Sequence, residues 1–178
     1  MSWASPSLFH RVCRRRTWRA SLASLLALLF AGLAGGAAVA QTCEIPQTLR
    51  SDPLQSASTC SGDLSIASVC NGQIPIHGPV NVWRLQVGAG ATAVLQLLGA
   101  EPGFNPVGYL VAADGPCGAG SCYGHVDPML DLANVPPGDY HLIVAASAWD
   151  APGACGSYSL SVDGDFGDAD QVFADGFE

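Results

Sequence analysis

The stretch "PPGDYHLIVAA", residues 136–146, sets a turn-forming Pro-Pro-Gly against an unbroken apolar run, with Asp139, Tyr140 and His141 at the junction. At a spacing of two, Tyr140, Leu142, Val144 and Ala146 fall on one face of an extended strand, and His141, Ile143 and Ala145 on the other. Asp139 follows the Pro-Pro-Gly directly, where a turn residue belongs, so the Asp-His pair reads as a strand entering a core rather than the edge of an active site. The same period appears on both sides. "SYSLSV" (157–162) sets Tyr158, Leu160 and Val162 against three Ser, and "NVWRLQV" (81–87) sets Trp83, Leu85 and Val87 against Val82, Arg84 and Gln86.

Further strands read in "LSIASV" (64–69), closed by the Asn-Gly turn of "CNGQ", in "TAVLQLL" (92–98), in "VGYLVAA" (107–113) and in the short "MLDLA" (129–133). Val107, Tyr109 and Val111 share one face of theirs. "DGPCGAGSCYGHVDP" (114–128) reads as a long loop, and no helical pattern is sustained after residue 40. Short alternating segments bounded by Gly, Pro and Asn imply an all-β protein, an antiparallel, jelly-roll-like β-sandwich of about seven to eight strands.

Residues 1–40 read as an export signal. "FHRVCRRRTWRA" carries five Arg and no acid, an apolar stretch follows, and Ala38 and Ala40 stand at the small-residue positions before Gln41. A retained membrane anchor is the alternative, because the apolar run is almost long enough to span a bilayer. The twin-arginine pattern is only partly matched at Arg15-Arg16, and no Cys stands first after the cleavage site for lipid attachment. Beyond the signal, 41–60 reads as an extended lead-in, 61–163 as the sandwich and 164–178 as an acidic tail. The expected location is secreted or periplasmic.

Cleavage leaves all fifteen acids against Arg50 and Arg84, with no Lys, a formal charge of −13. Such a surface repels nucleic acid and anionic lipid, so neither nucleic acid nor, after cleavage, a membrane is an expected partner. Six Cys remain: Cys43, Cys60, Cys70, Cys117, Cys122 and Cys155. An even number in an exported chain reads as three disulfides, for which fifteen connectivities exist. The short "CGAGSC" suggests Cys117–Cys122, then Cys60–Cys70, leaving Cys43–Cys155.

Catalytic patterns are absent. There is no G-x-S-x-G elbow, no H-E-x-x-H, no Lys for a Ser-Lys pair, and no paired C-x-x-C for zinc; His77, His125 and His141 stand singly. "DGDFGDADQVFADGFE" fails the EF-hand test, since the fifth and twelfth positions from Asp163 are Gly167 and Ala174. The expectation is therefore a non-enzyme without cofactor or metal. Its rivals are a purely structural module and a hydrolase whose acids assemble from distant positions.

From Pro79 to Val162, "VNVWRLQVGAGATAVLQL", "FNPVGYLVAADG", "LANVPPGDYHLIV" and "GSYSLSV" resemble the bacterial pre-peptidase C-terminal domain family. The resemblance implies a β-sandwich of the kind usually appended to secreted peptidases and often used for substrate binding. Asn105 stands where the family usually has Asp, and within these residues no peptidase precedes the matching stretch. The ending "DQVFADGFE" is similar to short acidic-aromatic tails on secreted proteins of Gram-negative bacteria.

A binding site is expected on loops. Counting reversals along the strands, loops 114–127 and 147–155 should share one end of the sandwich with the turn 88–91. That end would gather Tyr123, His125, Asp127, Trp149 and Asp150 to bind an extracytoplasmic protein or carbohydrate. The competing expectation is that Trp149 folds back to plug the open end of the core.

Overall fold

Eleven strands form in the computed structural model, which describes residues 42–51 and 54–167. In chain order they are β1 (Gln47–Thr48), β2 (Gln55–Ser58), β3 (Ser68–Val69), β4 (Ile74–Pro75), β5 (Asn81–Val87) and β6 (Val94–Gly99). They continue as β7 (Pro106–Ala112), β8 (Cys122–Val126), β9 (Met129–Asp131), β10 (Gly138–Ala146) and β11 (Ser157–Asp163). Residues 1–40 and 168–178, where the signal and most of the acidic tail are expected, lie outside the described residues.

Two sheets make the sandwich, ordered β1-β5-β10-β7-β8 and β2-β11-β6-β9. The segment 42–60 supplies an outer strand to each. β2 pairs antiparallel with β11, whereas β1 runs parallel to β5, departing from the otherwise antiparallel expectation. Between the sheets lie Trp83, Leu85 and Val87 of β5, Tyr140, Leu142 and Val144 of β10, and Tyr158, Leu160 and Val162 of β11, all buried as the period-two reading requires. A polar link crosses this core: Trp83 Nε1 donates to Tyr158 Oη at 2.8 Å and Asn81 Nδ2 donates to it at 3.2 Å. Burial pushes the Tyr158 hydroxyl up to about 12, with those two hydrogen bonds acting in the opposite direction.

The outer face of the five-stranded sheet is not simply solvated. Ile143 and Ala145 of β10, Val82 of β5 and Val111 of β7 are buried there beneath Ile66, Val69 and Cys70, in a second apolar cluster. The cover is the segment 63–80, whose regular structure is only the β3–β4 hairpin and one bridge between Asp63 and Val80. The Asn-Gly turn forms as the sequence indicates. Asn71 and Gly72 have φ of 56° and 78°, and Gln73 N donates to Cys70 O at 3.2 Å.

The disulfides are Cys43–Cys117, Cys60–Cys155 and Cys70–Cys122, so all three expected pairings are corrected. Sequence neighbours were the wrong guide because Cys117 and Cys122 serve different elements. Cys122 opens β8 opposite Val111, on the outer face where Cys70 lies. Cys117 sits in the preceding loop beside the cover, with Gly118 so close that an added Cβ would stand 3.1 Å from Ser68 O. Cys70–Cys122 thus ties the cover to β8. Cys43–Cys117 joins the lead-in to the loop before β8 and packs against the same cluster, and Cys60–Cys155 joins the turn after β2 to the 147–156 loop.

A second correction follows from β8, which occupies residues expected to be loop. Its pairing with β7 adds one reversal of the chain. Ala112 lies opposite Tyr140 and Val87 opposite Gly138, so loop 113–121 and turn 88–91 do share an end. Ala146, however, lies opposite Pro106, which places loop 147–155 at the other end. The start of the expected tail is ordered against the first of these ends: Gly88 N donates to Phe166 O at 2.7 Å and Thr92 N to Asp165 O at 2.9 Å.

Candidate functional site

Although the loops separate, β8 runs from one end toward the other and carries two of the five expected residues back to Trp149. His125 lies directly opposite Tyr109 of β7, and Asp127 follows the end of β8. His125, Asp127 and Trp149 line one depression of about 360 Å³, walled by Tyr109, Val107 and Ile74. A second, of about 340 Å³, shares Tyr109, Ile74, Ser147 and Ala148 with it and adds His77 and Asp150. Together they form a groove on the outer face of the five-stranded sheet, between the Cys70–Cys122 staple and the loop after β10.

Trp149 is 95 % exposed, so it does not plug the core; that expectation is corrected. Covering the open end falls instead to residues such as Phe104, buried and packed so closely on Gly156 that an added Cβ would stand 2.5 Å from its ring. The loop that carries Trp149 is tied at several points. Trp149 N donates to Ser147 Oγ at 3.2 Å, Asp150 N to Ser147 O at 3.0 Å, and Ser147 N to Asn105 O at 2.8 Å. Asp150 accepts from Asn105 N at 2.9 Å and from Asn105 Nδ2 at 2.8 Å, fixing this loop to the one before β7. The Asn that replaces the resembled family's usual Asp is therefore a clamp between two loops.

Tyr109 is half-buried, and burial, followed by the charge of Asp127, raises its hydroxyl above the ordinary tyrosine value. Asp127 makes no hydrogen bond or ion pair among the described residues. Tyr123 does not join the groove. A bulge between Leu110 and Val111 opposite β8 turns its ring onto Tyr140, edge to face, with centroids 5.2 Å apart and planes at 80°.

Elsewhere the polar residues are occupied structurally. Arg84 Nη2 and Asp139 Oδ1 form a half-exposed ion pair at 3.4 Å. His141 stands beside them with Nδ1 buried and unpartnered; burial, then Arg84, lowers its basicity, against a smaller opposing effect of Asp139. A larger depression, about 990 Å³, opens beside the Cys43–Cys117 staple but contains no aromatic side chain. Of the two carboxylates that line it, Glu44 and Asp63, Asp63 already accepts from Ser65 N at 2.7 Å and Cys43 N at 3.4 Å. Burial works to raise Asp63, yet these hydrogen bonds outweigh it and hold the group below the usual carboxylate value. All six cysteines after residue 40 are disulfide-bonded, and among the described residues no three of His, Cys, Asp or Glu stand close enough to hold a metal ion.

Sequence reasoning missed Tyr109, Ile74 and His77 as groove residues. One signal was available: "LIVAA" has no polar residue at its outward positions, which says that this face is covered by another segment.

No family model matches the chain, and no curated protein matches it. Among solved structures, it is similar to a periplasmic inhibitor of g-type lysozyme from Aeromonas hydrophila, at 16% identity and a TM-score of 0.47, over 70% of this chain and 96% of that one. It is also similar to the pre-peptidase C-terminal domain of a Bacillus anthracis collagenase, at 14% identity and a TM-score of 0.41, over 70% and 97% of the two chains. Both likenesses are distant, and nothing about ligand or activity transfers from them.

Proposed function

We propose that this protein is an exported, non-catalytic β-sandwich module that binds an extracytoplasmic ligand through the groove formed by Tyr109, His125, Asp127 and Trp149, after removal of residues 1–40. Trp149 carries the reading. A Trp that is 95 % exposed, on a loop clamped by Asp150 and Asn105, leaves a large apolar ring in water beside a concave surface. Such a ring brings much contact area at small ordering cost when a ligand covers it. Three disulfides add the chemistry of an oxidising, extracytoplasmic compartment.

The test is Trp149→Ala, screened against arrays of extracytoplasmic proteins and oligosaccharides. The expected result is lost binding with stability unchanged within about 0.5 kcal/mol, as for a surface substitution. Binding that survives the substitution overturns the site, and a protein that binds nothing in either form is a structural module. Intact mass of protein recovered outside the cytoplasm checks processing, with a chain beginning at Gln41 expected.

A further inference from the structure

Resting on that reading, we infer that the groove takes a cationic side chain, a Lys or Arg displayed by an extracytoplasmic protein. Charge is the first reason. Arg50 and Arg84 are the only Lys or Arg after residue 40, and neither lines the groove, whereas Asp127 and Asp150 both do. The field of the whole chain beyond residue 40 has the same sign, so it steers cations toward the surface and turns away phosphate, sulfate and uronate ligands.

Local chemistry is the second reason. The Asp127 carboxylate is close enough to Tyr109 to act on its hydroxyl, yet has no cation or hydrogen-bond donor of its own among the described residues. An ammonium or guanidinium entering the 360 Å³ depression meets a surface lined by both that residue and the exposed Trp149. An indole face attracts a cation through its quadrupole, and a carboxylate accepts several N–H donors at once. A neutral sugar would use the ring and donate hydroxyls to Asp127, but it would bring no opposite charge to it.

Clamping is the third reason. Because Asp150 spends its hydrogen bonds on Asn105, it holds the Trp149 loop in place before any ligand arrives, and its charge remains at the groove.

The experiment titrates the exported protein with an acetylated penta-lysine peptide by calorimetry, at low salt and at 150 mM salt, with a penta-glutamate peptide, spermidine and a neutral oligosaccharide in parallel. Penta-lysine is expected to bind, with some binding surviving at 150 mM because contact of the lysine stem with the Trp149 ring is not screened by salt as an exposed ion pair is. Trp149→Ala should weaken it about fivefold to thirtyfold, and Asp127→Asn by a few-fold. Equal binding to Trp149→Ala, or complete loss at 150 mM salt, would mean attraction to the acidic surface at large and overturns the inference. Spermidine binding as tightly as the peptide overturns a protein source. Trp149-dependent binding of the oligosaccharide without binding of penta-lysine also overturns it while leaving the groove as a binding site.

Discussion

Leu142 and Ile143 are neighbours on β10, both fully buried, and they belong to different cores. Leu142 faces the opposing sheet, among side chains set out by seven- and nine-residue strands. Ile143 faces a cover that has two two-residue strands and is bonded to β8 by Cys70–Cys122, with Cys43–Cys117 packed against the same cluster. One apolar layer is organised by backbone ladders, the other by covalent staples. Burial alone does not distinguish them, but what keeps each buried does.

The sharpest way to break this comparison is to truncate both residues. Leu142→Ala and Ile143→Ala should each cost about 2–5 kcal/mol in the oxidised protein, read from denaturant titrations. Under reducing conditions the Leu142 effect should persist, while the Ile143 effect should shrink as the cover lifts. Equal shrinkage would mean that the two cores are one cooperative unit. Next in size is removal of a single staple. Replacing Cys70 and Cys122 together by Ala should cost about 2–4 kcal/mol, since the bond closes a loop with a sequence separation of 52. Hydrogen exchange should accelerate in 63–80 before it does in β11.

Tyr158→Phe probes the ladder-built core. It removes the acceptor shared by the buried Trp83 Nε1 and Asn81 Nδ2 and should cost about 1–3 kcal/mol, measured as a fall in melting temperature, with the cover's exchange unchanged. The smallest effect is acid-dependent and belongs to the outer face. His141 is less basic folded than unfolded, so as pH falls below about 6.5 the unfolded chain binds the proton first and folding loses stability. A melting-temperature series from pH 7.5 to 5 should show this decline, and His141→Gln should flatten it.

The two cores were unequally legible. β5, β10 and β11 were readable because alternation is local: a strand that buries one face must place apolar residues at every second position. β8 was not. Its residues are mostly exposed at a sheet edge, and Gly124 interrupts it because Leu130 stands 2.7 Å from where a Cβ would be. Missing that one strand changed the parity of chain reversals and moved loop 147–155 to the wrong end, yet His125, Asp127 and Trp149 still meet because β8 spans the distance. Tyr123 was misplaced by a single bulge, since one added residue turns a side chain to another face.

By itself the sequence determined the period-two strands, the all-β class, the Asn-Gly turn and the even cysteine count, because each depends on residues close together in the chain. Only the tertiary structure decided which cysteines join, what covers Ile143, and that Tyr109 completes the groove with His125, Asp127 and Trp149. Those outcomes depend on the order of strands in a sheet and on which segments cross its outer face. Contacts between residues 52 to 95 positions apart, as in the three disulfides, are selected by how the whole chain packs, and no local pattern encodes that.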